Sequence, residues 1–153
     1  IRPAELTRNF VLCYTGKPRN SGINNWEVTK NAVDGNRAVI HHLTSIRDCA
    51  MDMEQALSRG SLKNVAPIFD REWKARKQLA PDISTPEMDR LMRAARKKGA
   101  LAGKVCGAGG GGCVAFIVPP AKKQSVIDEL TSKGGCVLPF RFVSRGLQTV
   151  VHR

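Results

Sequence analysis

The stretch Lys104-Val105-Cys106-Gly107-Ala108-Gly109-Gly110-Gly111-Gly112-Cys113-Val114-Ala115-Phe116-Ile117-Val118 constrains this chain more than any other. Positions 107–112 hold five glycines and one alanine. Glycine reaches backbone angles that other residues resist, at an entropic cost to folding. So dense a run makes sense where bare backbone must come close to something. Successive N–H groups can form a concave nest for an anion. The Walker pattern fails, because Val105 follows Gly103-Lys104 and no glycine stands five positions before Gly103. Gly107, Gly109 and Gly112 spell G-x-G-x-x-G, but that motif follows a strand and opens a helix. Here the glycines lead into Val114 to Val118, a run of buried-strand type, and a helix starts only after Pro119-Pro120. The loop is therefore expected to join two strands. It either cradles phosphate oxygens or is a hairpin without a ligand.

At 153 residues, with 42% hydrophobic and 25% charged residues, the chain reads as one domain spanning 1–153, able to bury a core. No apolar run approaches the roughly 20 residues of a membrane span, and the N-terminus has no signal-peptide pattern. Cys13, Cys49, Cys106, Cys113 and Cys136 are an odd count without a C-x-x-C pair, which points to a reduced, cytoplasmic protein. His41 and His42 are adjacent and point apart, so no metal site is expected. The net charge of +12 attracts polyanions. Nucleic acid is the obvious rival partner, but aromatics at 5% are too few for a base-stacking platform, and the cations are spread along the chain. A phosphorylated substrate, or an acidic second half, accounts for the charge equally well.

Residues 1–9 read as a polar lead-in, and Phe10 to Tyr14 as a strand. Thr15 to Gly22 is a turn with two cations and two hydroxyls, suited to an anion or a sugar, or simply a solvated loop. A helical region runs from about Trp26 to Leu57, with Asp34-Gly35-Asn36 as a break and Val39, Leu43, Ile46, Ala50, Met53 and Leu57 on one stripe. Ser61 is expected to cap the next helix, 61–79, which Pro67 kinks or truly begins. Arg71, Lys74, Arg76 and Lys77 read as its solvated face. Thr85-Pro86-Glu87 spells an N-cap, a proline at the first helical position and an acid in the first turn. Gly99 stops that helix. After the glycine loop come a strand, a helix to about Ser132, a strand Cys136 to Val143 with Pro139 at an edge or bulge, and a last strand Leu147 to Val151. This order predicts an α+β layer sandwich.

Lys104 to Val114 resembles the third, C-terminal motif of the GHMP kinases, the superfamily of galactokinase, homoserine kinase, mevalonate kinase and phosphomevalonate kinase. Val11 to Gly22, Glu72-Trp73-Lys74, Lys77-Gln78-Leu79, Phe140-Arg141-Phe142 and Gly146-Leu147 are similar to its sugar-kinase branch, notably the bacterial heptose-phosphate kinases. The resemblance covers nearly the whole chain. It implies a ferredoxin-like C-terminal domain, an antiparallel sheet with helices packed on one face. Gly107, Ala108, Gly109, Gly110, Gly111 and Gly112 would line the phosphate and substrate cleft, with Thr15, Arg19, Ser21 and Lys104 as further candidates for substrate contact. The family's ATP- and Mg2+-binding loop and its catalytic acids belong to an N-terminal half that nothing in 1–153 matches. No catalytic residue and no metal ligand is therefore assigned here. The implied function is the C-terminal half of an ATP-dependent kinase of carbohydrate metabolism, acting on a sugar or sugar phosphate, with its own N-terminal domain as partner and inactive alone. The alternative is a stand-alone basic binding domain for nucleic acid or another polyanion. A chain without its covering half is expected to expose an apolar wall and self-associate, which keeps a homo-oligomer open.

Overall fold

The computed structural model describes residues 1–18, 21–60 and 62–150, with residues 21–24 described by their backbone only. The apolar run Phe10–Tyr14 forms β1 as expected. β2 (Ala102–Val105) and β3 (Cys113–Ile117) flank the glycine loop, and β4 is Cys136–Leu138. They make a four-stranded sheet in the order β2-β3-β1-β4, every pairing antiparallel. β1 and β2 thus run parallel with β3 inserted between them, the split β-α-β of the ferredoxin-like fold.

The helices are α1 (Pro3–Asn9), α2 (Ser21–Val33), α3 (Arg37–Ser58), α4 (Leu62–Arg76), α5 (Pro86–Lys97) and α6 (Lys123–Ser132). The expected cap at Thr85 is present, and the expected break at 34–36 turns out to hold a cap as well. Asn36 caps α3, its Oδ1 accepting from the N–H groups of Ala38 and Val39 at 3.1 and 3.3 Å. Thr85 caps α5, its Oγ1 accepting from the Met88 N–H at 3.3 Å, with Pro86 as the first helical residue. Each cap satisfies N–H groups that a helix start otherwise leaves unpaired.

Other expectations are corrected. Residues 3–9 are a helix rather than a lead-in, begun by Pro3 and carrying Glu5 in its first turn. α2 starts at Ser21, earlier than expected, and Gly22 in its first turn hides that start. α4 runs through Pro67, which sits one turn in and costs one intrahelical bond. The stripe on α3 drifts: Ala50 is exposed, while Cys49 and Ala56 are buried. A strict seven-residue spacing slips about 20° per repeat against 3.6 residues per turn. β4 ends at Leu138, before Pro139, which has no N–H to donate to a ladder. Residues 147–150 form no strand, and Leu147 is 95% exposed. The tail turns back instead: Phe142 stacks edge-on against Phe10 at 5.3 Å, and its N–H donates to Thr7 Oγ1 at 3.0 Å. Ser61 and Val151 lie outside the described residues.

Strand alternation divides the apolar residues. Val11 and Cys13 of β1, Val114 and Phe116 of β3 and Val105 of β2 share one face. There they pack with Met88, Leu91 and Ala95 of α5 and Val126 and Leu130 of α6. Phe10, Ile117 and Ala102 alternate with them and join Ala56 of α3 and Val65 and Ala66 of α4 in a second cluster. Among the described residues no helix is long and apolar enough to cross a membrane.

Gly103 of β2 leaves room for the Phe116 ring: a Cβ there would stand 2.8 Å from Cδ1 of that buried side chain. Gly103→Ala is expected to lower stability by about 1–3 kcal/mol through overpacking. Urea unfolding followed by far-UV circular dichroism should show a lower midpoint with unchanged native ellipticity.

Candidate functional site

The glycine loop is built by close approach. Gly107, Gly109, Gly110, Gly111 and Gly112 all have positive φ. The tightest point is Gly109, with φ 90°, where an added Cβ would lie 2.5 Å from the Ile83 carbonyl oxygen and 2.8 Å from its Cα. The next residue donates its N–H to that same Ile83 oxygen at 3.1 Å. Ile83 is buried at the end of the 3₁₀ turn Pro81–Ile83 that precedes α5. The loop therefore rests on backbone, and no side chain fits between.

On its other side the loop meets the turn after β1. The Thr15 N–H donates to the Gly112 carbonyl at 2.9 Å, and the Gly112 N–H donates to the Lys17 carbonyl at 2.9 Å. Thr15 is buried, and its Oγ1 donates to the Lys17 carbonyl at 3.4 Å. Lys17 reaches Glu87 of α5 at 2.6 Å. Hydrogen bonding to the Lys17 ammonium, first among several causes, holds the Glu87 carboxyl below its ordinary value. The two loops that the sequence singled out are thus stitched together. Of the loop donors, the N–H groups of Gly107, Ala108, Gly109 and Gly111 have no protein acceptor among the described residues. Backbone N–H groups turned from their own chain's acceptors are suited to anionic oxygens.

The candidates divide as follows. Thr15 and the six loop residues come together, and Lys104 stands just before the loop at the end of β2. Arg19 lies outside the described residues, and Ser21 is described only as the first residue of α2. A cleft of ≈ 400 Å³ opens beside the loop, lined by Asn25 of α2, Arg76 of α4, Lys104, Val105, Cys106, Gly107 and Ala108. Arg76 is corrected from a solvated position. Its Nη2 lies 2.5 Å from Oε1 of buried Glu72, and Lys104 Nζ lies 2.9 Å from the same oxygen. The Glu72–Arg76 spacing of four residues on one helix was the available signal. What it could not disclose is that β2 brings Lys104 to the same oxygen. Arg71, Lys74 and Lys77 are exposed as expected. Among the described residues no group of three or more His, Cys, Asp or Glu could hold a metal ion.

The third motif and its surroundings match a known family model, GHMP kinases C terminal, over residues 53–136. The chain belongs to the GHMP kinase C-terminal family. It is 30% identical over 146 residues to D-glycero-alpha-D-manno-heptose 7-phosphate kinase of Campylobacter jejuni, an alignment covering 95% of this chain and 42% of that protein. A putative sugar kinase structure from Campylobacter jejuni superposes with a TM-score of 0.64 at 29% identity, covering 94% of this chain and 39% of that one. Streptococcus pneumoniae phosphomevalonate kinase, in complex with phosphomevalonate and AMPPNP, superposes with a TM-score of 0.72 at 20% identity, covering 88% and 39%. This GHMP domain thus spans about two fifths of the length of these relatives.

Two outcomes follow from the loop and its strands. Gly109→Ala combines a backbone clash with a positive φ, so it is expected to lower stability by upwards of about 2 kcal/mol, read as a drop in the urea midpoint. The second concerns Cys13, whose thiol is pushed up from 9.0 to about 11 by burial, then by the neighbouring Cys136 and Cys113. Folded, it stays a thiol where the unfolded chain ionises. Stability is therefore full below pH 9 and falls as pH rises toward 11. Equilibrium unfolding at pH 8, 9, 10 and 11 should show that fall, shallower in Cys13→Ala.

Proposed function

We propose that residues 1–153 form the C-terminal domain of a larger ATP-dependent kinase that phosphorylates a hydroxyl of a sugar or sugar phosphate, with a heptose phosphate as the leading acceptor. The observation that carries this reading is that Gly107 and Ala108 line the cleft with N–H groups that have no protein acceptor among the described residues, on a loop tied to Ile83 and to the Thr15–Lys17 turn. The family membership and the heptose 7-phosphate kinase relative support it.

Phosphoryl transfer asks little covalent chemistry of a protein. It asks for in-line positioning and for donors aimed at charge on the moving phosphate. The loop supplies such donors at fixed places, and its lack of side chains lets phosphate oxygens come close. The donor set here, N–H groups with nearby cations, suits phosphate oxygens of ATP or of the acceptor. It does not suit Mg2+, which prefers carboxylate and water oxygens. Mg2+, which would neutralise charge on the ATP phosphates, is assigned to the N-terminal half, together with the catalytic acid. The partner of this chain in the reading is that half of the same enzyme, in the cytoplasm.

The test is ADP release with Mg-ATP over a panel of sugars and sugar phosphates, run on the 153-residue chain and on a form extended upstream in its own coding frame. Activity confined to the longer form is expected, highest with a heptose phosphate. Activity in neither would remove the kinase reading. Within the active form, Ala108→Val, at the one position of 107–112 whose φ is not positive, keeps its N–H but crowds the phosphate oxygens, and should lower kcat on the order of 10²-fold through misplacement. Gly110→Val is the poorer choice, because Gly110 carries a φ of 74° and a bond to Ile83, and strain would confound the rate.

A further inference from the structure

The cation pair on the wall of the cleft is out of balance. Glu72 is 6% exposed, and its Oε1 takes Arg76 Nε at 2.7 Å, Arg76 Nη2 at 2.5 Å and Lys104 Nζ at 2.9 Å. Its other oxygen, Oε2, is buried and meets no donor among the described residues. Burying a carboxylate is costly, and a purely structural ion pair recovers most when both oxygens are satisfied. Here every contact falls on one oxygen, which draws two cations to one point. One carboxylate against an arginine and a lysine leaves one positive charge over.

Neither cation is exhausted by these contacts. Lysine carries three donors and arginine five, in a fork that matches phosphate. Both side chains keep about a quarter of their surface, 23% for Arg76 and 24% for Lys104. Both line the ≈ 400 Å³ cleft, and so do Gly107 and Ala108, whose N–H groups have no protein acceptor among the described residues. The Lys104 ammonium also lies over the Phe69 ring, 5.6 Å from its centroid. An excess positive charge, a guanidinium fork, an ammonium and two backbone N–H groups around one cleft is a phosphate-binding set.

We infer that Arg76 and Lys104, pinned by Glu72, form a subsite for a phosphate group beside the glycine loop, with Glu72 as the residue that positions both cations. The phosphate comes from the acceptor or from the nucleotide. Its assignment to a phosphorylated sugar rests on the kinase reading above; the existence of the subsite does not.

The experiment is an NMR titration of the 153-residue chain with inorganic phosphate, glucose 6-phosphate and AMP-PNP, following the Gly107 and Ala108 amides and the Arg76 Nε–H. Saturable shifts of these signals are expected with inorganic phosphate. Lys104→Gln keeps a hydrogen bond to Glu72 but removes the charge, and should weaken the apparent Kd at least tenfold. Asn25→Asp places a carboxylate at the mouth on an exposed helix position, so it spares the fold and should weaken binding several-fold. Shifts with glucose 6-phosphate that persist at saturating AMP-PNP assign the subsite to the acceptor. Shifts that AMP-PNP alone produces and blocks assign it to the nucleotide. Unmoved Gly107 and Ala108 signals with all three probes, or wild-type affinity in both variants, would overturn the inference. The kinase reading fails separately, by absent ADP release from the extended form with these shifts intact.

Discussion

The backbone contact between Gly109–Gly110 and Ile83 is the constraint on which the rest of this domain depends. It joins the β2–β3 connection to the turn that launches α5, and α5 covers the sheet that β2 and β3 belong to. Loop, helix and sheet therefore cannot move independently. A side chain at the contact would have to occupy space already filled by main chain. The second tie, through Thr15, Lys17 and Gly112, fastens the loop to the exit of the central strand β1. A loop of bare backbone, which in isolation would be mobile, is thus fixed at several points and keeps its remaining N–H groups in set directions. That is the difference between this loop and a free glycine linker.

Charge follows the same logic of few fixed points. The chain carries +12, and many of its cations pair with carboxylates at the surface, where such pairs contribute little. Examples are Lys30 with Asp34 and Arg47 with Asp48. The group at Glu72 differs because it is buried and because its partners come from two elements, α4 and β2. It fixes the direction of two long side chains that would otherwise sample many rotamers. A strongly basic composition alone suggested a diffuse polyanion surface. The structure concentrates part of that charge beside the glycine loop.

Much of this fold was legible from local chemistry. The break before α3, the cap at Thr85, the strand at Phe10–Tyr14 and the strand–glycine–strand arrangement all follow from short-range rules that tertiary structure did not override. The first helix and the tail were missed for one shared cause: each depends on a distant partner. The first helix is secured by contacts such as the Lys123 ammonium, which donates to the Thr7 carbonyl at 2.7 Å. The residues after Leu138 have strand-like composition, but the Phe142 ring packs on Phe10 and its N–H donates to Thr7 of α1 instead of to a strand edge. The cleft beside the loop was half legible. Lys104 stood next to an evident motif, whereas Arg76 looked like one more surface cation, because nothing in a helix sequence shows that a strand made later will bring a lysine to the same glutamate.

The order of strands in the sheet also bears on how the domain is made. β1 lies inside the sheet, yet it opens the strand order of this domain, while both of its neighbours, β3 and β4, follow about a hundred residues later. An emerging chain therefore carries Phe10-Val11-Leu12-Cys13-Tyr14 with no strand to pair with until most of the domain has left the ribosome. Helices with local contacts, such as the α3–α4 pair, can form in the meantime, but long-range pairing must wait for its partners. During that interval an apolar strand with two open edges is exposed to other chains, which makes this the stage of biogenesis where a chaperone has the most to protect.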